Sequence, residues 1–285
     1  MNAEQRNAGD SSGSFLNPNA VAGFAAGFVS SSVLYPLEVV KSRFQTGTHS
    51  SFSYRNSLHA LRTIYASGGI RELYRGFPAG LVGSSLSWGM YFWMYNNLKV
   101  SFSEFRGADT PGPMDHWSSS VLSSIAVQSL LCPVWVIKLN QQLGYVDGFW
   151  SGLTTLSKTE GIKGLYRGLV PGYWSSLHLA FQLVIYEEVK KIHFIDSLVA
   201  NTIVATVISK SAATILTSPI EVVKTRLRSY QVNFSQTVRG ISSEIWTREG
   251  CRGFYRGVGT ALLRILPGQC LTFVTYEWVK RFLAT

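Results

Sequence analysis

The sequence predicts an all-α membrane protein with six transmembrane helices arranged as three pseudo-symmetric repeats. Hydrophobic residues fill 46% of the 285 positions and charged residues only 15%, too little charge for the two soluble domains that this length would otherwise suggest. Three short signatures each occur three times in the same order. Between them run apolar stretches that approach the roughly 20 residues needed to cross about 30 Å of hydrocarbon. Mean hydropathy is only +0.13, so the spanning helices must carry polar stripes, as they do when one face lines a watery cavity. This composition excludes a disordered chain, a collagen and a disulfide scaffold.

The first signature is Pro36-Leu37-Glu38-Val39-Val40-Lys41-Ser42-Arg43. It returns as Pro219-Ile220-Glu221-Val222-Val223-Lys224-Thr225-Arg226, and in weakened form as Pro133-Val134-Trp135-Val136-Ile137-Lys138-Leu139-Asn140. The second runs through Leu73-Tyr74-Arg75-Gly76, Leu165-Tyr166-Arg167-Gly168 and Phe254-Tyr255-Arg256-Gly257. The third closes each unit: Tyr95-Asn96-Asn97-Leu98-Lys99, Tyr186-Glu187-Glu188-Val189-Lys190 and Tyr276-Glu277-Trp278-Val279-Lys280.

Taken in order, the chain divides into a polar tail over 1–16 and repeats over 17–107, 114–194 and 195–285. The first seventeen residues include Glu4 and Asp10 and lack both an Arg-rich amphipathic helix and an apolar signal core, so any targeting information is expected to be internal. The six helices are expected near 20–45, 78–102, 116–142, 171–192, 197–230 and 260–283. Pro36, Pro133 and Pro219 should kink the odd helices near their C-terminal ends, because proline removes a backbone hydrogen bond. Gly23 with Gly27, Ser120 with Ser124, and Thr206 four before Lys210 have the spacing that lets membrane helices approach closely.

Net charge is +10, which fits nucleic acid, anionic lipid or a small anion. The location of the charges decides among these. The three long loops within the repeats carry eleven basic residues against five acidic ones, whereas the segment linking helices two and three has Arg106 against Glu104, Asp109 and Asp115. Basic excess on one membrane face argues against a nucleic-acid groove and places the termini on the opposite face. Cys132, Cys251 and Cys270 are scattered, without the spacing of a zinc site.

In the first signature the acid and the lysine are three residues apart and share a helix face. If that face points to a central axis, cyclic order pairs Glu38 with Lys138 and Glu221 with Lys41, while Trp135 leaves Lys224 without its acid. At the other end, Lys99 with Glu187 and Lys190 with Glu277 could pair, and Asn96 leaves Lys280 without one. Two sets of weak pairs at opposite ends of one pathway suit alternating access, each set contributing roughly 0–1 kcal/mol per pair. The plainer alternative is solvated charge at helix ends.

Arg264 and Lys210 lie well inside apolar stretches, where charge is costly unless it faces water or a partner. A guanidinium there suits a phosphate or carboxylate, with an interhelical tether as the alternative. Lys210 could equally belong to a packing face. Trp88, Trp135 and Trp174 fall where flat rings could stack on a heteroaromatic substrate, although such rings also serve packing and lipid contact. His178 is a hydrogen-bonding neighbour or a packing residue. No Ser-His-Asp set, metal cluster or phosphate-cradling glycine loop is present, so neither an enzyme nor a resident metal or cofactor is expected.

These three signatures together resemble the mitochondrial carrier family (solute carrier family 25), from about Asn17 to Leu283. The resemblance implies six tilted helices around a central site, short matrix helices in the long loops and inner-membrane residence, with termini in the intermembrane space. It implies a monomer that meets membrane lipid, with cardiolipin at the matrix face. The implied matrix gate is Glu38, Lys41, Gln45, Lys138, Gln142, Glu221 and Lys224, with Arg228 in place of a third glutamine brace. The implied cytoplasmic gate is Asn96, Lys99, Glu187, Lys190, Glu277 and Lys280. The implied substrate residues are Gly83, Ser84, Trp88, Trp135, Trp174, Ser175, His178, Lys210 and Arg264.

Within the family, Trp135, the run Ser87-Trp88-Gly89-Met90-Tyr91-Phe92 and Arg264-Ile265-Leu266-Pro267 resemble the branch that carries folate, FAD, NAD and pyrimidine nucleotides. Tyr95-Asn96 and Ser176-Leu177-His178 are most similar to the folate/FAD carriers. The resemblance therefore implies FAD or folate as transported cargo, with NAD or a pyrimidine nucleotide as the alternative. A carrier-like adaptor that no longer transports and a membrane-bound flavin enzyme are the other classes weighed, and Arg264 counts against the first.

Overall fold

The computed structural model describes residues 18–47, 54–107, 112–175, 177–192, 198–230 and 236–284. The expected tail over 1–16 and Ser176 lie outside them. In chain order the helices are α1 (Pro18–Thr46), α2 (Ser57–Leu73), α3 (Phe77–Phe105), α4 (Pro113–Leu143), α5 (Phe149–Leu165), α6 (Leu169–Ser175), α7 (Leu177–Lys190), α8 (Leu198–Arg228), α9 (Val238–Glu249) and α10 (Val258–Ala284). A 3-10 turn, Cys251–Tyr255, precedes α10, and no strand occurs among the described residues.

The expected spans correspond to α1, α3, α4, the α6 and α7 segments, α8 and α10. Segments Val21–Thr46, Met114–Leu143, Asn201–Arg228 and Cys251–Leu283 are long and apolar enough to cross a membrane. At 29 residues α3 matches α1 in length, roughly 44 Å at 1.5 Å per residue. Its Ser84, Ser85, Ser87, Asn96 and Asn97 lower its hydropathy without shortening it. Pro36, Pro133 and Pro219 lie inside α1, α4 and α8, which continue past them.

Spans of successive repeats lie side by side: α3 packs on α4, α7 on α8 and α10 on α1, closing a ring. The short helices α2, α5 and α9 pack beneath α1, α4 and α8. Sequence explains that packing. At about 100° per residue, the third and sixth residues of each first signature (Glu38 and Lys41, Trp135 and Lys138, Glu221 and Lys224) fall on one helix face and the two residues between them on the opposite face. Those two residues are Val39 and Val40, Val136 and Ile137, Val222 and Val223. They are buried against Ala60 and Ile64 of α2, Leu156 and Leu165 of α5, and Ile241 and Ile245 of α9.

The second signature has a backbone reason. Gly76, Gly168 and Gly257 have φ of 78°, 66° and 79°, a region that disfavours any side chain. A Cβ there would also stand 3.0 Å from the Lys138 carbonyl, 3.2 Å from that of Lys224 and 3.1 Å from that of Lys41, respectively. Each repeat thus presses a glycine onto the signature lysine of the next repeat. Sequence alone supplied the motif but not this contact.

Candidate functional site

The inward faces of the spans enclose two adjoining cavities. One, of about 570 Å³, lies between α1, α8 and α10 and is lined by Lys41, Lys210, Lys224, Arg264 and Glu221, with many hydroxyls. The other, of about 560 Å³, lies between α1, α3 and α4 and is lined by Phe24, Phe28, Tyr35, Phe77, Trp88 and Trp135. Gly27 and Ser31 belong to both walls. A cationic chamber and an aromatic chamber therefore meet along α1.

Glu38 joins the two chambers at their floor. One carboxylate oxygen accepts from Lys138 Nζ at 2.5 Å and the other from Arg264 Nη1 at 3.1 Å. Lys138 also lies 5.2 Å from the Trp135 ring and 5.9 Å from that of Tyr35. Gly80 leaves room for it, since a Cβ there would meet Lys138 Cε at 2.8 Å. The tether considered for Arg264 thus exists, yet its side chain keeps 40% of its exposure and lines the cationic chamber.

The expected bridge from Glu221 to Lys41 is absent. Glu221 instead pairs with Lys224, three residues on along α8, at 2.5 Å, and Lys224 also donates to Ser175 Oγ at 2.9 Å. Trp135 offers Lys224 no carboxylate from the second repeat, so Lys224 takes the acid beside it. Lys41 faces the cationic chamber.

Beneath these pairs lies a cyclic set of bonds that sequence reasoning missed. Arg43 Nε donates to the Gln142 carbonyl at 3.0 Å, Arg226 Nε to the Gln45 carbonyl at 3.1 Å, and Asn140 Nδ2 to the Arg228 carbonyl at 2.9 Å. Each repeat grips the next through one equivalent residue. Ser42 donates to Gln142 Oε1 and Thr225 to Gln45 Oε1, so the braces inferred at Gln45 and Gln142 bind hydroxyls of the neighbouring repeat. Gln142 also donates to the Tyr35 hydroxyl at 3.0 Å. The equivalent positions in the second and third repeats are Leu139 and Arg228, which cannot make this bond. Buried Arg228 has Nε and Nη2 without a hydrogen-bond partner among the described residues.

Arg43 and Arg226 also pair with Glu72 and Glu249, each at 2.8 Å. With asparagine at 140, Glu160 pairs instead with Arg167 at 2.9 Å. Burial raises the Glu160 carboxyl and lowers the Arg167 guanidinium, and the opposite charge partly offsets each shift. The signal that could have found the ring was available: Arg43, Asn140 and Arg226 occupy one position of the repeat.

At the opposite end, neither Lys99–Glu187 nor Lys190–Glu277 forms among the described residues. Lys99, Lys190 and Lys280 instead sit 5.4, 5.7 and 5.8 Å from the rings of Tyr95, Tyr186 and Tyr276 on their own helices. Only one end of the pathway is locked, which leaves the second set of acids and lysines apart. Asn96 makes no cross-helix bond there among the described residues.

Of the other substrate residues inferred above, Ser84, Trp88 and Trp135 line the aromatic chamber, and Ser175, His178 and Lys210 line the cationic one. His178 Nδ1 lies 3.0 Å from Thr217 Oγ1. Gly83 is different: it is buried where a Cβ would stand 3.1 Å from Val134, so it serves the crossing of α3 and α4. Trp174 is 59% exposed and lines neither chamber. Gly23 and Gly27 also depart from expectation, because a Cβ at either would meet nothing within 4 Å. They line the cavities in this conformation. Ser120 does bridge helices, its hydroxyl lying 2.9 Å from that of Tyr91.

A ring of repeated helices around a charged and aromatic cavity, locked at one end by ion pairs, defines a multi-pass membrane transporter of small solutes. The chain belongs to the mitochondrial carrier family: the family described as "Mitochondrial carrier protein" matches residues 14–106, 109–197 and 195–285. It is 34% identical to "Folate transporter 1, chloroplastic" of Arabidopsis thaliana, over 93% of this chain and 95% of that protein. It is 32% identical to "Nicotinamide adenine dinucleotide transporter 1, chloroplastic" of the same plant, over 94% and 92%. It is 30% identical to "Mitochondrial nicotinamide adenine dinucleotide transporter 1" of Saccharomyces cerevisiae, over 92% and 76%. The family places the chain among transporters, not enzymes.

Proposed function

We propose that this protein carries a flat-ringed anionic cofactor, folate or FAD, across the inner mitochondrial membrane by alternating access. The observation that carries this reading is the meeting of an aromatic chamber and a cationic chamber along α1. Aromatic walls suit a heteroaromatic ring, and Arg264 with Lys210 suits phosphate or carboxylate. The likeness to a folate transporter supports the choice among cargoes.

In this reading Glu38, Lys41, Lys138, Glu221 and Lys224 hold the matrix end shut, braced by Gln45 and Gln142. Cargo enters from the intermembrane space, where the termini lie. Its anion competes with Glu38 for Arg264, loosening the matrix pairs. Closure of the opposite end then brings Lys99 to Glu187 and Lys190 to Glu277, with Asn96 and Lys280 beside them. The protein works as a monomer with cardiolipin at its matrix face.

NAD or a pyrimidine nucleotide is the second reading, favoured by the likeness to two NAD transporters. Reconstitution into liposomes with labelled folate, FAD, NAD and pyrimidine nucleotides separates them. Saturable uptake of folate or FAD is the expected result. Uptake of NAD alone selects the second reading, and uptake of none overturns both. An adaptor-like protein that no longer transports would give uptake of none, and Arg264 in the cationic chamber counts against it.

A further inference from the structure

Gly27 occupies the place where the two chambers join. It lines both, and a Cβ built on it meets nothing within 4 Å, so the absent side chain leaves open space at the junction. Ser31, one helical turn on, is the other shared wall, and its small side chain keeps that passage low. Below them, Glu38 takes Lys138 from the aromatic side and Arg264 from the cationic side. The chambers are of nearly equal volume, about 560 and 570 Å³, and differ in chemistry: six aromatic rings line one and four cationic side chains the other.

We infer that Gly27 is a saddle over which one elongated molecule lies, its ring in the aromatic chamber and its anionic end in the cationic chamber. Gly27 then selects for length: it admits molecules whose ring and charge are separated by a linker that crosses α1. The inference rests on the reading of a flat-ringed anionic cargo and adds to it the orientation of that cargo and the residue that sets its shape. A compact anion or a bare ring fills one chamber only and gains nothing from the missing side chain.

The test is ligand-induced thermal stabilisation of the purified full-length carrier in mild detergent. The probes are whole FAD, folate and NAD, the ring fragments lumichrome and pterin, and the anionic fragments pyrophosphate and glutamate. In the wild type, a ring fragment and an anionic fragment should stabilise additively, because they occupy different chambers. Gly27→Leu should weaken the response to the whole molecule at least tenfold in apparent affinity, while each fragment stays within about twofold. Gly27→Ala should fall between them and fold at least as well, since alanine favours helix over glycine.

Mutual exclusion of the two fragments, or unchanged whole-molecule binding by Gly27→Leu, overturns the saddle and leaves the cargo reading intact. Unchanged binding with lost transport in liposomes would assign Gly27 to helix closure instead, and also overturns it. A wild type that responds to no probe overturns the cargo reading and the saddle together.

Discussion

Lys224 turns back to Glu221 on its own helix, at 2.5 Å, where the threefold pattern would send it to an acid at position 135. That position is Trp135, whose ring instead walls the aromatic chamber and lies 5.2 Å from Lys138 Nζ. One substitution in the second repeat therefore changes both the lock and the cavity. The seam between the second and third repeats is also where Leu139 and Arg228 replace the hydroxyl and glutamine of the other two seams. It is held instead by Asn140, which bonds the Arg228 carbonyl and the Tyr230 amide, and by Arg167, which donates to the Ser229 carbonyl at 3.1 Å.

Trp135→Glu should restore an acid to that seam, releasing Glu221 to Lys41. Such pairs contribute up to about 1 kcal/mol each, so the melting temperature in detergent should rise and turnover should fall several-fold. Trp135→Phe keeps a ring and should do neither. A lower melting temperature for the glutamate variant would mean that the missing acid does not explain the Lys224–Glu221 pair.

Glu38→Gln and Glu187→Gln should separate the two ends of the pathway. Glu38 holds two cations, and losing charge-assisted bonds of this kind costs about 1–3 kcal/mol. The first variant should therefore melt earlier. Glu187 joins no ion pair among the described residues, so the second should melt like the wild type yet transport more slowly in liposomes. Equal destabilisation by both would contradict the one-end-locked arrangement.

Arg228→Gln should stabilise the protein. Its guanidinium is buried beside the Cys132 thiol, with Nε and Nη2 lacking an oxygen or nitrogen partner among the described residues, and an unmet buried donor costs about 1–3 kcal/mol. The Asn140 bond goes to the backbone carbonyl of residue 228 and survives the change. Thermal unfolding in detergent measures the effect, and a fall in melting temperature would show that Arg228 has a partner in another conformation.

Arg264→Lys should retain part of the transport that Arg264→Ala loses. A lysine keeps the charge facing Glu38 but loses the planar fork that grips a carboxylate or phosphate from two sides. Uptake should fall about tenfold or more for alanine and several-fold for lysine, with the larger change in apparent affinity. Equal uptake by both variants would reduce Arg264 to the interhelical tether.

Much of the architecture was legible because the repeat writes it three times. The buried pairs Val39–Val40, Val136–Ile137 and Val222–Val223, the inward acids and lysines, and the glycines of Tyr-Arg-Gly recur at fixed spacing. Helical periodicity converts that spacing into faces. Cyclic order about a central axis anticipated Lys138 meeting Glu38, and equally a Glu221–Lys41 bridge that does not form. Phe24, Phe28 and Phe77 were not legible as walls of a cavity, because an apolar ring in a spanning helix looks the same whether it meets lipid, a neighbour or a cargo.

By itself, then, the sequence determined a threefold helical carrier and which acids and lysines share a helix face, since local spacing sets those faces. Only the tertiary structure decided that Lys224 pairs at home, that Arg264 holds Glu38, that Gly83 serves packing and that Gly27 opens onto both chambers. Those outcomes depend on how far apart the ring of helices stands at each level. Such distances arise from side chains of different repeats meeting across the axis, and no spacing along one chain segment encodes them.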